Sequence, residues 1–162
     1  MLSLNNNLNI FIIKKIKFLH GFLITLIVLN TLFFVAKIYN ILVFEGEFEF
    51  SEIVLNISIS LIVIAGLCFL QSALFSIIKK GFFNNNAYNN FKNSGIFFLV
   101  AGSGGAIIDI VMIIRTSDNI FELLYSNLGS DFLLIMIGFS LFTLADLVQN
   151  GNFIKTENDL TI

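Results

Sequence analysis

Four long apolar stretches, at residues 18–36, 53–78, 96–114 and 132–148, constrain this chain more than any other feature. Each is close to the ~17–25 residues that a helix rising ~1.5 Å per residue needs to cross a ~30 Å hydrocarbon layer. The expected fold is therefore all-α: a membrane protein of four transmembrane helices in an antiparallel bundle. With their polar shoulders the spans cover about residues 18–44, 53–78, 95–115 and 130–149. A loop at 79–94 and a tail at 150–162 complete a single domain of 162 residues. Only 12% of residues are charged, against about 25% in soluble domains, and four spans leave no room for a separate soluble domain.

Charge distribution gives the orientation. Lys14, Lys15 and Lys17 precede the first stretch, Lys79, Lys80 and Lys92 lie between the second and third, and Lys155 follows the fourth. Only Lys37 and Arg115 fall on the other side. Lys/Arg bias in short loops places both termini and the middle loop in the cytoplasm. The opposite loops carry Glu45, Glu47, Glu49 and Glu52, then Asp118, Glu122 and Asp131. The first apolar run is longer than the ~7–15 residues of a signal-peptide core and lacks a cleavage pattern, so it reads as a retained span.

Phe, Asn, Ile and Lys are abundant, as in an AT-rich genome, and Trp and Pro are absent. Asn5 to Asn9 read as a mobile start, and residues 10–18 as a short interfacial helix. In the middle loop Gly81 is a helix stop. Asn84 or Asn85 is placed to cap a short helix with Tyr88 and Phe91 on one face, running into the third span. The third span holds Gly95, Ala101, Gly102, Gly104, Gly105 and Ala106. Ala101 with Gly105, and Gly102 with Ala106, have the spacing that lets helix backbones approach closely. No strand precedes these glycines and no Lys follows, so they do not make a phosphate loop.

Three ionisable groups fall within or beside the spans. Asp109 and Lys37 lie at similar outer depth; they either pair, or Asp109 is hydrated or protonated while Lys37 snorkels outward. Asp146 lies near the inner end of the fourth span, within reach of Lys79, Lys80 or the N-terminal lysines. These groups read first as register-fixing interface groups and second as ion or proton sites. His20 is the one histidine, and Cys68, the one cysteine, reads as a small buried apolar residue. No metal-ligand spacing or catalytic triad emerges, so neither a cofactor nor an enzymatic activity is expected. The basic inner face suits anionic lipid, and direct nucleic-acid binding is not expected.

Two segments carry a resemblance. The tail, from Leu144-Ala-Asp-Leu-Val-Gln-Asn-Gly151 to Lys155-Thr-Glu-Asn-Asp-Leu-Thr-Ile162, and the loop from Gly81-Phe-Phe-Asn to Lys92-Asn-Ser-Gly95 are similar to those of the domain-of-unknown-function family 2975, small four-span bacterial membrane proteins. The family usually has Leu-Arg before the loop's last glycine, where this chain has Phe91-Lys92. The resemblance implies residence in the bacterial cytoplasmic membrane and no assigned activity. It also implies a genomic neighbour, a small helix-turn-helix regulator, as cytoplasmic partner. The expected function is a non-enzymatic membrane module, regulatory or sensing, acting through loop and tail; the alternative is a small transporter or channel subunit, with self-association into a homo-oligomer open to both. Leu160, Thr161 and Ile162 are the candidate partner contacts, in a tail that Gly151 lets reverse into an extended segment.

Overall fold

The computed structural model describes residues 2–43, 50–115 and 128–160. They form four helices: α1 (Leu2–Val43), α2 (Phe50–Lys80), α3 (Asn85–Arg115) and α4 (Gly129–Leu160). All four contain a stretch long and apolar enough to cross a membrane. With no proline anywhere in the chain, nothing removes a backbone donor and breaks the ladders. As a result the helices are longer than their apolar runs. α1 is one helix of 42 residues, ~63 Å at 1.5 Å per residue. No separate interfacial helix precedes its apolar part.

The helices pack in sequence order, α1 on α2, α2 on α3 and α3 on α4. Among the described residues α1 touches neither α3 nor α4, and α2 does not pack on α4. The arrangement is a row, not a closed bundle around an axis. Along each neighbouring pair, rising residue numbers on one helix meet falling numbers on the next. Gly66 of α2 lies against Phe97 and Phe98 of α3, whereas Ser72 meets Asn90 and Ser76 meets Asn84. Gly95 of α3 faces Gly138 and Phe142 of α4, whereas Asn85 meets Asn152.

The grip weakens along the row. The α3–α4 seam is the tightest because glycines line it. A Cβ on Gly95 would sit 3.0 Å from the Gly138 carbonyl, and one on Gly102 would sit 2.6 Å from the Asp131 carbonyl. In a medium as apolar as the side chains themselves, such close backbone approach replaces hydrophobic burial as the source of attraction. The α2–α3 seam adds polar ties: buried Ser94 donates to the Gly66 carbonyl at 2.8 Å, and the Phe69 and Phe97 rings stack at 5.3 Å. At the edge of the row, α1 buries Leu23 (4% exposed) against α2 and little else. The outward faces of the row remain apolar, with Phe18, Leu32, Phe33, Ile107, Leu133 and Met136 exposed. Cys68 is also exposed, not buried, because it points to one of these open faces.

Candidate functional site

Two polar stations interrupt the apolar row, one at each end of the α3–α4 seam.

The first joins Asp109 to Asp131. Gly102, Gly105 and Asp109 lie three and four residues apart and share one face of α3. Asp131 sits in the first turn of α4, where a helix N-terminus favours an acid. Its carboxylate occupies the place a side chain at Gly105 would take. Asp131 is buried, and its Oδ2 is sealed from solvent with no hydrogen-bond partner. The Asp109 carboxyl lies beside that of Asp131 across the seam. The station sets two acids against each other between two helices.

This corrects the expected partner of Asp109. Lys37 is exposed on α1, beside a cavity of about 420 Å3 shared with α2 and lined also by Asn30, Asn40 and Ser60. Because α1 does not reach α3, Lys37 and Asp109 do not pair. Asp146 is exposed on α4, which packs on neither α1 nor α2, so its expected lysine partners are out of reach. Ala101, Gly102 and Gly105 are all buried, with Gly102 and Gly105 against α4. Asp131, expected in a loop, lies in the first turn of α4. The overlooked signal was a dry glycine face ending in Asp109, opposite an acid at a helix start.

The second station is the turn between α2 and α3. Gly81 closes α2 with φ of 85°, a left-handed conformation that glycine adopts without strain, and donates to the Ile77 carbonyl at 2.9 Å. Asn84 caps α3: its Oδ1 accepts from the Ala87 N–H at 2.8 Å and from the Ser76 hydroxyl at 2.8 Å, while its Nδ2 donates to the Gly81 carbonyl. The residues expected to form a separate surface helix are the first turns of α3 itself, with Phe91 buried and Tyr88 half-buried.

The tail docks here. α4 runs unbroken to Leu160, so Gly151 does not reverse the chain and residues 152–160 are helical, not extended. Gly151 instead lets the Phe83 ring lie flush on the helix, in the space a side chain would fill. Next to it Asn152 Nδ2 donates to Asn85 Oδ1 at 2.9 Å. Beyond this clamp Phe153, Ile154 and Leu160 are exposed, Leu160 at 86%. Thr161 and Ile162 lie outside the described residues.

The described residues hold no group of three or more His, Cys, Asp or Glu able to bind a metal ion. Compared with known proteins, the chain matches no family model, no curated protein and no solved structure.

Proposed function

We propose that this chain is a non-enzymatic module of the bacterial cytoplasmic membrane, regulatory or sensing in role, which presents the α4 extension to a cytoplasmic protein. Its four helices cross the membrane alternately, with both termini and the α2–α3 turn on the cytoplasmic side, as the lysine bias favours. The observation that carries the reading is the clamp of Gly151 and Asn152 on Phe83 and Asn85. It holds a further ~14 Å of helix at a fixed angle to the membrane helices. Phe153 and Leu160 are seven residues apart and so share a face of that helix, with Ile154 beside it. Two or three exposed apolar anchors on a rigid helix suit a groove on a partner. The partner is a small helix-turn-helix regulator, as membership of family 2975 would imply. Binding of the purified regulator encoded beside the gene, measured on the full chain in nanodiscs, tests this. Phe153→Asp with Leu160→Asp, or removal of residues 152–162, is expected to abolish it. Equal binding by all forms, or none by the intact chain, overturns the reading.

A second reading, a small transporter or channel subunit, draws on the Asp109–Asp131 pair alone, since two facing acids at a helix seam are a component of proton-coupled exchange. Proton flux into liposomes that disappears in Asp131→Asn favours it; liposomes as tight as protein-free ones exclude it.

A further inference from the structure

On the same side as the turn, α2 and α3 part to leave a groove of about 430 Å3. From α2 it receives Ser72, Lys79 and Lys80, and from α3 Asn86, Asn89 and Asn90. None of its lining residues is acidic. Among the described residues no carboxylate pairs with Lys79 or Lys80. Lys79 Nζ is held 4.3 Å from the centre of the Phe75 ring at the groove wall, a contact that fixes the cation without quenching its charge. The Phe75 ring also packs on His20 of α1 at 5.9 Å, so three helices meet at this wall. Asn90 Nδ2 is oriented by a 3.2 Å bond to Ser72 Oγ. The groove also lies beside the start of α3, where the helix dipole favours an anion.

We propose that this groove binds the phosphate diester of an anionic phospholipid, with Lys79 and Lys80 meeting the charge and the asparagine amides donating to the phosphate and headgroup oxygens. The shared chemistry, a phosphate anion, also belongs to soluble phosphates. The surroundings favour lipid: the exposed Phe75 ring forms part of the groove wall, where an acyl chain can lie and a free phosphate gains nothing. The depth agrees, because the groove sits where lysines end an apolar span, the level of the headgroups. The binding inference stands without the proposed role of the tail. The two meet at one point, since Asn86 lines the groove while its neighbour Asn85 holds Asn152.

The test uses the full chain in a neutral detergent and reads its melting temperature during titration with phosphatidylglycerol, phosphatidylcholine or inorganic phosphate. Phosphatidylglycerol is expected to raise the melting temperature saturably, and the other two are not. A juxtamembrane lysine contributes about fivefold to the affinity for an anionic surface, so Lys79→Gln with Lys80→Gln is expected to weaken the response about thirtyfold. Asn89→Trp, which fills the groove and leaves the charge unchanged, is expected to weaken it as well and serves if the lysine variant does not fold. Lys14→Gln with Lys17→Gln, equal in charge change but outside the groove, is expected to respond as the parent does. An equal loss in both lysine pairs means diffuse attraction to a basic surface and overturns the site. A response to inorganic phosphate as strong as that to lipid overturns the lipid assignment, and no response to any of the three overturns the proposal.

Discussion

At the scale of the residue, the Asp109–Asp131 station depends on what is missing from α3. A Cβ on Gly102 would stand 2.6 Å from the Asp131 carbonyl and 3.0 Å from the Ile135 nitrogen, both backbone atoms that move only if α4 moves. Gly104, two residues on, has nothing within 4 Å. Gly102→Ala is therefore expected to destabilise the protein by about 1–3 kcal/mol. Gly104→Ala is expected to be neutral, or to stabilise by up to about 1 kcal/mol. Melting in detergent separates them, and equal effects would mean that Gly102 does not face α4. The close-packing role of Gly102 and Gly105 was legible from their spacing, because only small residues permit that approach. The partner of Asp109 was not. Hydropathy places Asp131 outside the span because an acid is costly in lipid, yet a helix N-terminus stabilises an acid and α4 starts before its apolar run.

At the scale of the element, the same limit explains the tail. A glycine followed by polar residues reads as a helix end, and Gly81 behaves so with its positive φ. Gly151 has the same local signal and stays helical, because its value lies in a contact 68 positions back, with Phe83. Sequence alone does not rank these two uses. If the clamp holds the extension, Phe83→Ala removes the ring that Gly151 accommodates. Loss of one such contact costs about 1–2 kcal/mol. Trypsin cleavage at Lys155 in inside-out vesicles is then expected to accelerate roughly tenfold, since 1.4 kcal/mol is a factor of ten in the population of the opened state. An unchanged rate would mean that the tail is held by something other than this turn. The cap at Asn84 was legible for the opposite reason: its partners lie within eight positions, and short-range capping follows local sequence.

At the scale of the whole molecule, the four helices and their order were legible from length and hydropathy, but their arrangement was not. Lipid is as apolar as a leucine side chain, so a span carries little record of which face meets a neighbour and which meets lipid. A bundle was the expectation, and the described helices form a row, with α1 held by α2 alone. The row predicts which cysteine pairs bridge in a Cys68→Ser background. Asn85→Cys with Asn152→Cys replaces two side chains that touch across the α3–α4 seam and is expected to form an intramolecular disulfide. Leu29→Cys with Ile137→Cys joins α1 to α4 and is expected to form none. Efficient intramolecular bridging of the second pair, read on non-reducing gels, would show a closed bundle instead.

The partner surface, the lipid groove and the clamp all require the α2–α3 turn and the end of α4 to share the cytoplasmic side. Single cysteines at Asn86 and Leu160, in a Cys68→Ser chain, test this with a membrane-impermeant maleimide. The account predicts that neither is labelled in intact spheroplasts and both are labelled in inside-out vesicles. Labelling of either position from outside intact spheroplasts would contradict it.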